Sequence, residues 1–291
     1  MCYNFLAISD QPSAFPALRL SPILMYPLST WRLLDTGHRD GATNMALDEA
    51  ILRGVAEGAS PPTLRFFGWQ PACLSLGQAQ PVADVDFDAC SRLGVDVVRR
   101  PTGGRAILHV DELTYSVTAR EDHPHVQGGI VESYRRLSEG LLAGLTRMGL
   151  PVQQVERPEE HDRDQGPVCF VTPSNYEIVF DGRKLVGSAQ VRRGGVVLQH
   201  GSLPLFGDIA RICGVLAAKP DAARVRARAI TVESAIGRAL PYAEAARLMG
   251  EGFASALNVR LEPGDLTPQE RAWAEELRSD KYASDSWTRR I

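Results

Sequence analysis

The sequence predicts an α+β fold, a mixed β-sheet with flanking helices, on three observations. Strand-like stretches recur from residue 31 to about 205 with no helix regularly placed between them. Asp181-Gly182 and Gly194-Gly195 separate three consecutive alternating stretches, the pattern of antiparallel hairpins. Beyond 208 the chain turns helical, so strands and helices are not interleaved one for one as a doubly wound parallel sheet requires.

Taken in order, WRLLDT (31–36) reads as a strand, and TNMALDEAILRGVAEG follows as a helix with Thr43 as its N-cap. TLRFFGW (63–69) and ACLSLG (72–77) are strands divided by Gln70-Pro71, and VDFDACSRLG is a short helix leading into the strand VDVVRR (95–100). PTGGR is a loop by composition, AILH and LTYSVTA are strands, and residues 129–149 carry the longest amphipathic helix pattern. Residues 155–167 are polar and aperiodic, a surface loop. SNYEIVF, RKLVGSAQVR and VVLQHGSLPL then form a three-stranded meander. The tail DIARICGVL, TVESAIG, YAEAARLMGEGFASAL and TPQERAWAEELRSDKY reads as helices with no evident strand set. Residues 1–24 read as a loose N-terminal extension with Met25 as an alternative start, 25–240 as the main domain, and 241–291 as a C-terminal helical segment packed on it.

A chain of 291 residues, 44% hydrophobic and 23% charged, can bury a sizeable core, and a net charge of -3 offers no global attraction for nucleic acid or an anionic membrane. The five scattered cysteines form no zinc or disulfide pattern, which points to a reducing, cytoplasmic setting without a metal. No apolar run approaches the ~20 residues that span a bilayer, and no charged segment precedes an apolar one at the start.

Four stretches carry candidate chemistry. In RRPTGGRAILH (99–109), Gly103 and Gly104 let backbone approach a ligand, Arg99, Arg100 and Arg105 bracket the loop with cations, and His109 ends the next strand; the plainer alternative is a glycine turn among solvated arginines. In DGRKLVGSAQ, a two-residue hairpin pairs Phe180 with Arg183, Val179 with Lys184, Ile178 with Leu185 and Glu177 with Val186. Alternation then places Asn175, Glu177, Lys184, Ser188 and Gln190 on one face, with Gly187 open to close approach, and Tyr176, Ile178, Phe180, Leu185 and Ala189 on the core face. That polar face is either a ligand-facing sheet or simply wet. In QHGSL, His200 and Gly201 end the third strand, and His200 alone reads as a hydrogen-bonded structural histidine. A serine hydrolase is disfavoured because no GxSxG elbow occurs, and His123, His125 and His161 read as surface groups in polar loops.

The fourth stretch is GPVCFVTPSNYEI. Cys73, Cys90 and Cys213 sit in apolar patterns and read as core thiols, whereas Cys169 lies at a loop-to-strand junction beside prolines. With an ordinary pKa of ~8.5, a nucleophilic thiol needs a nearby cation or base, and Lys184 across the hairpin is the candidate.

These motifs, in this order over roughly residues 31–235, resemble the lipoate-protein ligase, biotin-protein ligase and octanoyltransferase superfamily: RRPTGGRAILH resembles its acyl-binding loop, GRKLVGSAQ its lysine motif and QHGSLPL its third signature. VCFVTPSNYEI resembles the cysteine-dependent octanoyl-[acyl carrier protein]:protein N-octanoyltransferase branch. The resemblance implies a fold like the class II synthetase/biotin synthetase catalytic domain. It implies octanoyl or lipoyl transfer from acyl carrier protein, through a Cys169 thioester, to a lysine of lipoyl-domain proteins such as the glycine cleavage H protein and E2 subunits, with no cofactor and no ATP. Lys184 would lower the thiol pKa and bind the developing oxyanion. Arg100, Gly103, Gly104, Arg105, His109, Gly187, Ser188, Gln190, His200 and Gly201 would shape the acyl site. Arg105 stands where ligase-like members often carry a third glycine. The alternatives are an ATP-dependent lipoate-protein ligase acting through a lipoyl-adenylate and a non-catalytic acyl or lipoyl-carrier binder. Arg192, Arg193, Arg224, Arg226 and Arg228 are candidates for a local dock for an acidic carrier.

Overall fold

A computed structural model describes the chain over residues 26–156, at residue 168 and over 176–291. The order begins β1 (Ser29–Arg39), α1 (Gly41–Ala56), β2 (Thr63–Trp69), β3 (Cys73–Leu76), α2 (Phe87–Arg92), β4 (Asp96–Arg99), β5 (Ile107–His109), β6 (Glu112–Arg120) and α3 (Ile130–Arg147). It continues β7 (Gln153–Glu156), β8 (Tyr176–Phe180), β9 (Arg183–Arg193), β10 (Val196–Pro204), α4 (Ala222–Arg228), α5 (Val232–Ile236), α6 (Tyr242–Ala256), β11 (Val259–Pro263), α7 (Pro268–Leu277) and α8 (Asp285–Thr288). Among the described residues no helix is long and apolar enough to cross a membrane.

The strands form an eight-stranded mixed sheet, β11-β1-β2-β6-β10-β9-β8-β7, and a small sheet, β4-β3-β5. In the large sheet β1 runs parallel to β11 and β2, and the remaining pairs are antiparallel. β11 is a departure from the all-helical tail expected beyond 240, and β7 ends inside the stretch expected to be a loop. Both are short edge strands, whose extended state is set by the neighbour they pair with more than by local pattern.

Alternation gives the large sheet two chemically distinct faces. One carries Leu64, Phe66, Tyr115, Val117 and Val197 into the main core under α3 and α6. The other carries Phe67 and Trp69, packed with Met45, Ala46 and Ala50 of α1 and with Leu277 and Tyr282, and Val196 and Leu198, packed with Ile51 and Val55. The small sheet stands on a separate apolar cluster with Ala210, Ile212 and Val225. Burying apolar area at roughly 25 cal/mol per Å² makes these clusters the main source of cohesion.

Three local expectations are corrected. The N-cap of α1 is Asp40, whose Oδ1 accepts from Thr43 N at 2.9 Å, rather than Thr43. Aspartate is as good a cap as threonine, and one more turn of helix is gained by starting at Gly41. His123 and His125 are not surface groups. His125 is fully buried, its Nε2 lies 2.6 Å from Leu257 O, and Trp31 meets it edge-on at 5.3 Å. His123 Nε2 lies 3.0 Å from Ser29 Oγ. Tyr26, Trp31 and Leu257, remote in sequence, close over a loop that is polar by composition.

The third correction concerns the β8–β9 hairpin. Phe180 pairs with Arg183 and Val179 with Lys184 as expected, but Ile178 pairs with Val186, which leaves Leu185 as an extra residue in β9. Such a bulge breaks the two-residue alternation. Val186 therefore shares Ile178's side, in the main core, while Lys184 shares Val179's, on the opposite side.

Candidate functional site

Between the small sheet and the α1 side of the large sheet lies a cleft. Arg100, Gly104, His109, Gly187, Ser188, His200 and Gly201, all expected at the site, contribute to its wall. Met45, Trp69, Ile107 and Ala189 supply apolar surface, and Ser75, Thr114 and Ser202 supply hydroxyl groups. Gly103, Arg105, Lys184 and Gln190 do not line it. Cys169 lies outside the described residues, as do Asn175 and His161. Its chain neighbour Val168 is 2% exposed and forms a parallel bridge with Ala106, the residue before Ile107 of the wall.

The loop 100–105 is held from beneath by Arg100. Its guanidinium donates to Gly103 O at 2.7 Å, to Arg105 O at 2.8 Å and to both Ser75 O and Ser75 Oγ at 3.0 and 3.1 Å. These bonds make Arg100 a clamp on the loop, and planar, multidentate donation of this kind suits arginine. Gly104 adopts φ +92°, which side chains rarely tolerate, while a side chain at Gly103 would meet open space. Gly77 packs so closely that a Cβ there would lie 1.9 Å from Gly104 O.

Two hydroxyl–imidazole–carboxylate relays meet at the cleft. In the first, His200 Nδ1 lies 2.9 Å from Asp48 Oδ2 and its Nε2 lies 2.7 Å from Thr102 Oγ1, tying the loop to β10. Asp48, on α1, is fully buried and also accepts from Arg65 Nη1 at 2.7 Å and from Ser116 Oγ at 2.9 Å. Burial alone would raise its pKa, but the Arg65 guanidinium and the His200 and Ser116 bonds outweigh it and hold the carboxyl below its ordinary range. For His200 burial wins. It lowers the imidazole's pKa despite the Asp48 partner, so Nδ1–H donates to the carboxylate and Nε2 accepts from Thr102. In the second relay His109 Nδ1 donates to Glu112 Oε1 at 2.7 Å and Nε2 pairs with Ser75 Oγ at 2.7 Å. Its ring stacks on Trp69 with centroids 4.0 Å apart. Ser202 Oγ donates to Glu112 Oε2 at 2.5 Å, and Thr114 donates to Oε1. Asp48, Glu112, Ser75, Thr102 and Trp69 were not anticipated. The sequence held little signal for the two acids, since each stands beside a second acid, Glu49 and Asp111, and reads like an ordinary solvated pair.

Ser188 and Gln190 occupy the face opposite to the one expected. Across β10, Ser188 pairs with Gly201 and Gln190 with Gln199, on the α3/α6 side, while Ala189 pairs with His200 on the cleft side. Accordingly Ser188 Oγ meets Tyr115 Oη at 2.8 Å, and Gln190 Nε2 donates to Gln199 Oε1 at 3.0 Å and to Ser133 Oγ of α3 at 3.1 Å. Gly201 makes room on that side. A Cβ there would lie 2.5 Å from Ser188 Oγ and 2.6 Å from Tyr115 Cε1. Lys184, which precedes the bulge, keeps the side opposite Ile178 that was expected for it. It is 5% exposed, and its carbonyl accepts from Ile230 N at 3.1 Å.

The chain is similar to known proteins of one family. The model for the lipoyl protein ligase A/B catalytic domain matches residues 40–254. Octanoyltransferase LipM of Kyrpidia tusciae is 45% identical over 275 residues, spanning 90% of this chain and 100% of that protein. The protein of the same name from Bacillus subtilis is 40% identical over 270 residues, spanning 89% and 97%. The bi-partite lipoate-protein ligase of Thermoplasma acidophilum, solved in a study of an archaeal lipoylation system with its E2 lipoyl domain, superposes with a TM-score of 0.74 at 25% identity, covering 90% of this chain and 96% of that one. A lipoate-protein ligase A crystallised with ATP gives the same TM-score and identity, covering 90% and 99%.

Proposed function

The chain belongs to the lipoyl protein ligase A/B catalytic-domain family, and from that premise we propose that it transfers an octanoyl group from acyl carrier protein to a lysine ε-amine of lipoyl-domain proteins, the glycine cleavage H protein and E2 subunits among them, through a thioester on Cys169. The observation that carries this proposal is the bridge between Val168 and Ala106, which fixes the residue preceding the thiol against the exit of the glycine loop. The relatives of 40–45% identity that carry the name octanoyltransferase support the same choice over a ligase.

In the proposed reaction the acyl tail lies in the cleft against Met45, Trp69, Ile107 and Ala189, with His200 uncharged beside it. The Cys169 thiolate attacks the thioester carbonyl carbon, and the carrier's thiolate leaves and takes up a proton. The acceptor amine then attacks the new thioester, loses a proton, and expels the Cys169 thiolate as the amide forms. Both acyl groups are already activated, so no nucleotide is consumed. Lys184, on the cleft side of β9, stabilises the thiolate and the negative charge that develops on the carbonyl oxygen. The loop 102–105, clamped by Arg100 and by Thr102 to His200, closes over the bound chain.

The carrier dock expected from five arginines finds less support. Arg226 pairs with Asp208 at 2.7 Å and Arg193 with Glu49 at 3.1 Å, and Arg192 donates to Gly129 O and Ser133 Oγ at 3.0 Å.

The deciding test is intact mass after incubation with octanoyl-acyl carrier protein in the absence of ATP. One added octanoyl group, removed by hydroxylamine and abolished by Cys169→Ser, is the expected result. Acylation of a lipoyl domain only when ATP and free octanoate are supplied would replace the transferase with a ligase. A protein that never becomes acylated and never acylates a lipoyl domain would be a binder.

A further inference from the structure

The residues after α7 touch both walls of the cleft from behind. Toward α1, Arg278 Nε donates to Thr43 Oγ1 at 2.9 Å, and Lys281 Nζ and Tyr282 Oη converge on Glu49 Oε2 at 2.6 and 2.5 Å. Glu49 is 4% exposed and is the neighbour of Asp48, which orients His200. Toward the glycine loop, Trp287 Nε1 donates to Arg99 O at 2.8 Å and Arg99 Nε donates to Thr288 O at 3.1 Å. Arg99 is fully buried and its Nη1 donates to Gly77 O and Gln80 O at 2.9 and 2.7 Å. Gly77 abuts Gly104, and Arg99 is bonded to Arg100, the loop clamp. The Trp287 ring is covered by two cations, Lys281 at 4.2 Å and Arg290 at 3.9 Å.

We infer that residues 278–291 form a brace that spans from Glu49 on α1 to Arg99 at the base of the glycine loop, with Trp287 as its positioning residue, and that it sets where loop 100–105 lies over the cleft. The effect on catalysis rests on the acyl transfer proposed above; the effect on the loop does not. The geometry is specific. Two successive helix residues, Asp48 and Glu49, bind the site and the brace respectively, and the brace reaches the loop through a buried arginine that meets only carbonyl oxygens among the described residues. A segment that only sealed a core would have no need to bond both the carbonyl and the guanidinium of Arg99.

The experiment compares the full chain with Trp287→Ala and Trp287→Phe by backbone hydrogen exchange and by acylation kinetics with a small octanoyl thioester. Loss of one hydrogen bond and of the cation contacts is worth about a tenfold change in local opening. Trp287→Ala is therefore expected to raise exchange about tenfold at 77–80 and 101–106, leaving 113–119 and 196–204 unchanged. It should also raise KM about tenfold with a smaller change in kcat. Trp287→Phe, which keeps a ring between the cations and loses only the bond to Arg99 O, should recover part of both effects. Exchange that rises equally in the loops and the central strands, or wild-type exchange at 101–106 in Trp287→Ala, overturns the brace. If Trp287→Ala does not fold, the same comparison is made with Trp287→Phe and the same two results overturn it. If the wild-type chain takes no octanoyl group, the proposed transfer fails while the exchange data still decide the brace.

Discussion

Replacing Asp48 by asparagine removes one charge from an ion pair in which both side chains are fully buried. Oδ1 serves Arg65 and Ser116 while Oδ2 serves His200. An amide cannot do both. With its oxygen toward Arg65 and Ser116, its NH₂ faces the Nδ1–H of His200, and the imidazole must change tautomer and turn an N–H on Thr102. Breaking a buried pair by removing one partner typically destabilises by about 3–5 kcal/mol. Arg65 keeps acceptors in Asn44 Oδ1 at 2.7 Å, Asn44 O at 3.1 Å and Thr36 Oγ1 at 2.9 Å, so the lower end, about 3 kcal/mol, is expected. That corresponds to a Tm lower by about 6–12 °C for a chain of this size. Urea unfolding followed by fluorescence and circular dichroism measures it, and an Asp48→Asn stability within about 1 kcal/mol of wild type would refute the pairing scheme. Octanoyl transfer should fall at temperatures where the variant remains folded, because the bond that ties Thr102 and the loop to His200 must reverse its direction.

Other expectations follow from single features. Gly201→Ala forces a methyl against Ser188 and Tyr115 and should cost about 1–3 kcal/mol by overpacking, read as a drop in Tm; Ser188→Ala in the same chain should recover part of it. Lys184→Met should slow acylation about 10²-fold or more, while a surface lysine such as Lys219 can be replaced without that loss. His123, whose pKa is pushed down to about 4 by burial and by His125, binds fewer protons folded than unfolded between about 6.5 and 4. Stability should accordingly fall as pH falls through that window. Because the ring is only partly buried the loss is about 1–2 kcal/mol, and His123→Gln should flatten the profile.

Much of the fold was legible because strand alternation and hairpin turns are local properties. The strands at 63–69, 73–76 and 196–204 and the helix at 130–147 are where periodicity places them. The site was legible in part for the same reason. The glycine loop, His109 and His200 are short motifs whose residue types already announce a close approach to a ligand, and all three reach the cleft. The relays were not legible, because Asp48 and His200, or Ser75 and His109, become neighbours only when α1, the small sheet and the large sheet are stacked. The surface reading of His123 and His125 failed for a related reason, since the Trp31 and Leu257 groups that cover them come from opposite ends of the described chain.

The hairpin at 176–193 shows the division most clearly. Sequence alone determined that two strands meet at Asp181-Gly182 and that Lys184 pairs with Val179, because a tight turn dictates the first pairs. It also led to the wrong companions for Lys184, because counting by twos assumes an unbroken ladder. The tertiary structure inserted Leu185 as an extra residue and sent Ser188 and Gln190 to the helices, while Lys184 kept its expected side. Which side each residue takes depends on what the two faces can bury, and the two helices on one side and the small sheet on the other exist only once the chain has folded.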